Sequence, residues 1–136
     1  MSALSFAFTK IVVADLTASE RFYEEALGLF RVAYIEFGEG ANRLQEVVLA
    51  LPEAAPGAAN LQLIHYPGRP KPASSETVIG FTVADAEASV ATMTAAGGRV
   101  TVPVTTIDGH GVTCAYVADL DGHLIEIIQF SGVANV

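Results

Sequence analysis

The sequence predicts an α+β fold made of two copies of one βαβββ unit. A shift of 70 positions places residues 13–28 over residues 83–98 without a gap, and seven of the paired residues are identical. A second shift, of 64 positions, places residues 61–68 over residues 125–132 and sets Gln62 opposite Glu126. Two matches in the same order are typical of a duplicated unit, and chance similarity among Ala and Val residues is the alternative.

The first unit, residues 1–68, has strand and helix signals in a readable order. Residues 6–14 are rich in Phe, Ile and Val, which favours a strand. Thr17 and Glu20 form a Thr-x-x-Glu capping box that predicts the start of a helix, and Gly28 is expected to end that helix in the left-handed conformation. Further strands are predicted at 31–37, 44–51 and 60–66.

The second unit, residues 77–136, repeats this plan after a polar connector at 69–76 that contains two prolines. A strand at 77–83 is followed by a helix from Asp85 to Gly97. Asp121 and Gly122 are expected to form the last hairpin turn. Strands complete the unit at 99–106, 112–118 and 123–130.

Composition excludes several classes of protein. The chain of 136 residues is 51% hydrophobic and 16% charged, as expected of a globular domain. The sequence contains no run of about 18 apolar residues, so no membrane span is expected. It also has no basic segment ahead of an apolar stretch at its start, so a secretory signal is not expected. A single cysteine, Cys114, fits the reducing cytoplasm. The net charge of -8 argues against binding to nucleic acid.

The βαβββ tandem, with "KIVVADLTASERFYEEALGL" in the first unit and "DLDGHLIEIIQ" in the second, resembles the vicinal oxygen chelate superfamily. This family includes glyoxalase I, bleomycin-resistance proteins and extradiol dioxygenases. The resemblance covers nearly the whole chain and implies two curved mixed sheets that form a cup, with the helices outside. Members differ widely in what the cup does, so the fold alone does not determine an activity.

The resemblance also implies where a metal would bind. The metalloenzymes of the family hold a divalent ion with two side chains from each unit, and the corresponding positions are Phe8, Gln62, Val78 and Glu126. Phe and Val offer a cation no lone pair, and one carboxylate with one amide is a poor site for zinc or iron. We therefore expect no metal and no other cofactor.

Glu126 carries a charge in an apolar strand, on the same face as Leu124, Ile128 and Phe130. A carboxylate in such surroundings needs a partner or a raised pKa. Strand periodicity places Lys10 on the face of Phe8, and we expect Lys10 and Gln62 to hold Glu126. The alternative is that Lys10 extends into solvent.

Three functions are consistent with these residues. The first is a metal-free protein that binds a small, partly apolar molecule between Phe8, Val78 and Phe130, with the loop of His110 over the cup. The second is a metal-independent lyase or isomerase with Glu126 as general acid or base. The third is a glyoxalase-type or dioxygenase-type metalloenzyme with a displaced site. A homodimer is expected as the commonest assembly, and the cup is expected to form either within one chain or across that dimer.

Overall fold

Two four-stranded mixed sheets, each accompanied by one helix, make up the computed structural model, which describes residues 1–73 and 76–131. The first unit contains β1 (Phe8–Val12), α1 (Leu16–Leu27), β2 (Phe30–Phe37), β3 (Leu44–Ala50) and β4 (Asn60–His65). The second contains β5 (Val78–Thr82), α2 (Ala86–Ala95), β6 (Arg99–Ile107), β7 (Val112–Ala118) and β8 (Leu124–Phe130). The predicted α+β class and the βαβββ tandem are confirmed.

The two sheets have the same topology. Their strand orders are β1-β4-β3-β2 and β5-β8-β7-β6. In each sheet the first and last strands of the unit run parallel, and the other pairs are antiparallel. The compact units comprise residues 1–24 with 28–72, and residues 25–27 with the chain from Ala73 onwards.

Both helices begin at an aspartate of the repeat. The side chain of Asp15 accepts a hydrogen bond from the backbone N–H of Ala18 at 3.0 Å, and Asp85 accepts one from Ala88 at 3.1 Å. The predicted start at Thr17 was therefore wrong, because Asp15 caps α1 and Thr17 lies in its first turn. Gly28 ends α1 with a φ of 72°, as the sequence predicts.

Each sheet has one strongly buried face. In the first sheet this face carries Ile11, Val47, Leu49, Leu61 and Leu63, all at most 8% exposed. In the second sheet it carries Ala115, Val117, Ile125 and Ile127, which are fully buried, and α2 lies against β6, β7 and β8. Within the described ranges, neither helix combines the length and hydrophobicity that a membrane span requires.

Strand register determines which polar residues share the opposite faces. Lys10 lies beside Gln62, and Gln62 lies opposite Val48. We call this side, which also carries Phe8 and Glu46, the Lys10 face of the first sheet. In the second sheet Gly80, Glu126 and Tyr116 are neighbours in the same way. We call the side that they share the Glu126 face.

Candidate functional site

An ion pair lies on the Lys10 face of the first sheet. The ammonium Nζ of Lys10 is 2.9 Å from Oε1 of Glu46, which is located on β3. The Glu46 side chain is only 6% exposed, whereas that of Lys10 is 39% exposed. Lys10 was expected to pair with Glu126. That expectation was wrong, because Lys10 pairs with Glu46, a carboxylate of its own sheet. Removal of Glu46 from water requires such a partner.

Gln62 lies between the two charged residues, on the strand that separates β1 from β3. Its amide Nε2 donates a hydrogen bond to Oδ1 of Asn60 at 3.0 Å. The expectation that this amide holds Glu126 was wrong, because the amide binds Asn60 of its own strand. Gln62 is 9% exposed and lies beside the ion pair on the Lys10 face.

Apolar side chains share the Lys10 face with this ion pair. The ring centroid of Phe8 is 5.3 Å from Nζ of Lys10, which is within the range of a cation–π contact. Phe8 is 47% exposed, and the register places Ile35 and Phe37 of β2 on the same face with 42% and 72% exposure. Large apolar groups this exposed are typical of surfaces that bind a ligand or another protein.

A second polar pair lies on the Glu126 face of the second sheet. Tyr116 lies directly opposite Glu126 on β7, so the two side chains share this face. The negative charge of Glu126, followed by burial, raises the pKa of Tyr116 above its ordinary value. Glu126 is half-buried rather than enclosed. Its neighbours on this face are partly exposed as well: Val78, Leu124, Ile128 and Phe130.

The histidines take no part in either polar pair. Nδ1 of His65 is 3.1 Å from the carbonyl oxygen of Val13, on the buried side of the first sheet. His123 is 6% exposed in the turn before β8, and His110 is exposed in the turn after β6. Across residues 1–73 and 76–131, no three His, Cys, Asp or Glu side chains come together as metal ligands.

The donors at the family positions do not fit a divalent transition metal. Phe8 and Val78 present only hydrocarbon, and Gln62 presents a neutral amide. Glu126 is the one ionisable group among the four. Zinc and iron sites are built from several imidazole, thiolate or carboxylate ligands.

Two residues of these pairs are absent from the sequence-based set. Glu46 lies in "LQEVVLA" (44–50), where it breaks an apolar strand in the same way as Glu126. That irregularity is a signal that sequence reasoning can use. Tyr116 gives no comparable signal, because an aromatic residue is ordinary in a strand.

The chain matches a known protein family and several solved structures. The model of the Glyoxalase/Bleomycin resistance protein/Dioxygenase superfamily matches residues 5–127. A glyoxalase family protein from Bacillus cereus superimposes with a TM-score of 0.82 at 20% identity, covering 97% of each chain. The trypanothione-dependent glyoxalase I of Leishmania major gives 0.71 at 24% identity, covering 93% of this chain and 87% of that one.

One similar solved structure belongs to a much longer chain. Glyoxalase I of Zea mays gives a TM-score of 0.73 at 19% identity, and 90% of this chain aligns with 45% of the maize chain. The present chain thus spans less than half of that enzyme. No curated protein matches the sequence. At these identities the likeness to solved structures establishes the fold.

Proposed function

Because this chain belongs to the Glyoxalase/Bleomycin resistance protein/Dioxygenase superfamily, we propose that it binds a small, partly apolar molecule without a divalent metal. One observation carries the proposal: the ion pair of Lys10 and Glu46 is set in an apolar surface beside the exposed ring of Phe8. Ligand sites are mostly apolar, with a few polar groups that fix orientation. The Lys10 face has this composition.

The metal-free part of the proposal depends on donor chemistry. Hydrocarbon side chains occupy two of the four family positions, Phe8 and Val78. The carboxylate of Glu46 is engaged by an ammonium, which competes with any cation. Recognition of the ligand therefore depends on side-chain hydrogen bonds and on apolar contact.

Native mass spectrometry and metal analysis of the purified protein test the proposal together. We expect a small organic molecule to copurify or to bind from a panel of flat, partly apolar compounds, with a metal content far below one ion per chain. Phe8→Ala should weaken this binding. Leu51→Ala is the matched control, since Leu51 is 48% exposed and Phe8 is 47% exposed. About one zinc, nickel, manganese or iron per chain would refute the metal-free part.

A second candidate function is favoured by the position of Tyr116 directly opposite Glu126 on the neighbouring strand. A half-buried carboxylate beside a phenol is suited to act as general acid or base in a metal-independent lyase or isomerase. Turnover of a panel of α-hydroxy and α-keto thioesters tests this function. Loss of turnover in Glu126→Gln with ligand binding retained would favour the enzyme, and turnover unchanged by that substitution would exclude Glu126 as the catalytic group.

We also propose a homodimer, located in the cytoplasm. Strand β2 is an edge strand of the first sheet and exposes apolar side chains along its length, among them Val32 and Tyr34 at 51% and 44%. An exposed apolar edge favours association with a second copy. Light scattering should give twice the mass of 14.2 kDa. Tyr34→Lys should reduce that mass, and a monomeric wild type would refute the dimer.

A further inference from the structure

We propose that the polar group of the ligand is an uncharged carbonyl oxygen, as in a ketone or an amide, that accepts a hydrogen bond from the ammonium of Lys10. The flat apolar part of the ligand would then lie on Phe8. This inference rests on the proposed function, because it names the chemical class of ligand for the same face.

The donor in this site is incompletely used by the protein. An ammonium group has three N–H donors and no acceptor. Glu46 takes one of them at 2.9 Å, and the ring of Phe8 lies 5.3 Å away on another side. The Lys10 side chain is 39% exposed, so an approaching molecule reaches the ammonium, whereas Glu46 is almost entirely covered.

The charge of the site selects an uncharged acceptor. Lys10 and Glu46 together are neutral, and an anion in contact with Nζ would lie within roughly two hydrogen-bond lengths of the Glu46 carboxylate. Repulsion from that carboxylate offsets about half of the attraction to the ammonium. An anion would also lose more hydration on the apolar face than a ketone or an amide. A cation has no lone pair for Lys10 and is repelled by it.

The apolar part of the ligand is specified by the residues next to the ammonium. Phe8 presents an exposed ring adjacent to Nζ, whereas Ile35 and Phe37 lie on the same face at the opposite edge of the sheet, on β2. Flat rings prefer offset or edge contacts with such a side chain. An aromatic carbonyl compound can make both contacts at once, since its oxygen projects from the edge of its ring system.

The chain has two lysines, Lys10 and Lys71, which allows a direct test. Protein labelled with 13C only at lysine gives two Cε–Hε signals by NMR, and Lys71, exposed in the connector, is the internal control. The probes are 2-naphthamide, 2-naphthoate and 2-naphthylmethylamine, which share one ring system and differ in charge. We expect saturable shifts of the Lys10 signal with 2-naphthamide, an unchanged Lys71 signal, and affinity about tenfold above that of 2-naphthoate.

Variants separate the hydrogen bond from the apolar contact. Lys10→Met with Glu46→Leu removes the ion pair and leaves no buried charge unpaired, and it should lower the affinity for 2-naphthamide about fivefold or more. Lys71→Met should leave it unchanged. If the double variant does not fold, Lys10→Arg provides the test, since it keeps the charge and the donors and should retain the preference for the amide over the carboxylate.

The outcomes distinguish this inference from the proposed function. Tighter binding of 2-naphthoate, or binding of 2-naphthamide with an unchanged Lys10 signal, would overturn the inference. If such binding were still lost in Phe8→Ala, the proposed function would stand. Failure of all three probes to bind to the folded protein would overturn the inference, and the absence of any copurifying or binding compound as well would overturn the proposed function.

Discussion

Lys10 and Glu46 form a diagonal ion pair across strand β4, with Nζ of Lys10 2.9 Å from Oε1 of Glu46. Lys10 lies beside Gln62 in the register, and Glu46 lies opposite Ile64, two residues further along β4. The long side chain of Lys10 spans that offset. A carboxylate that is 6% exposed thereby obtains a counter-charge within its own sheet.

Removal of Lys10 should destabilise the protein, because it leaves the buried carboxylate of Glu46 without a counter-charge. We predict that Lys10→Met lowers the free energy of unfolding by about 3 kcal/mol, the low end for a broken buried pair, because Lys10 is partly exposed. Lys10→Met with Glu46→Leu should recover much of the loss, since an apolar pair often equals a buried ion pair. Urea denaturation of the wild type, both single variants and the double variant measures the coupling.

The control for this cycle is Lys71→Met, which removes the same charge from an exposed connector and should change the stability by less than about 0.5 kcal/mol. If the effects of Lys10→Met and Glu46→Leu on the free energy of unfolding were additive within about 0.5 kcal/mol, Lys10 and Glu46 would not interact in solution.

Gly28 offers a test of backbone strain without a change in packing. Its φ is 72°, and an added Cβ would meet no atom within 4 Å. Gly28→Ala should therefore cost about 1 kcal/mol through the left-handed conformation alone. Gly80 is the matched control, because its surroundings are equally open and its φ is not positive. Thermal denaturation should show a lower melting temperature for Gly28→Ala only, and equal effects at both positions would contradict this explanation.

The repeat made the fold predictable from the sequence. Asp15 and Asp85 are paired by the shift of 70 positions, and each caps the helix of its unit. A helix cap of this kind depends only on residues that are close together in the sequence. The error at Thr17 has the same origin, because two capping signals overlap at 15–20 and sequence spacing does not rank them.

The candidate site was predictable only in part. Strand periodicity placed Lys10 on the face of Phe8, because alternation depends on the strand alone. The position of Gln62 came from the family resemblance, and the register sets it beside Lys10. The partner of Lys10 depends on how β1, β4 and β3 are aligned, and alignment between strands distant in sequence is not encoded by periodicity. Glu46 was therefore overlooked, although its position in an apolar strand marked it as clearly as that of Glu126.

Asp119 should stabilise the turn that precedes β8. Its Oδ1 accepts hydrogen bonds from the backbone N–H groups of Asp121 and His123, at 3.0 and 2.8 Å, and Asp119 is 7% exposed. Asp119→Ala should cost about 2 kcal/mol, because both donors lose this acceptor, and Asp119→Asn should cost less. Urea denaturation measures both. Asp108→Ala, in the exposed turn after β6, is the control, and an equally large loss there would contradict a specific role for Asp119.

Tyr116 and Glu126 predict a loss of stability in alkali. The carboxylate of Glu126 raises the pKa of Tyr116 above its ordinary value of 10.0, with a further contribution from burial. The folded protein therefore holds the phenolic proton more tightly than the unfolded chain does. The resulting stability is fully present below about pH 10 and is lost as the pH rises through the higher pKa of the folded state.

Between about pH 9 and about pH 11, the free energy of unfolding should consequently fall more steeply in the wild type than in Tyr116→Phe. Glu126→Gln removes the negative charge, so the tyrosinate absorbance of Tyr116 should develop at lower pH than in the wild type. Glu53→Gln removes the same charge from an exposed residue and serves as the control. If Glu126→Gln and the wild type gave superimposable absorbance titrations, the charge of Glu126 would not be what raises the pKa of Tyr116, and the proposed role of Glu126 as an acid or base beside Tyr116 would lose support.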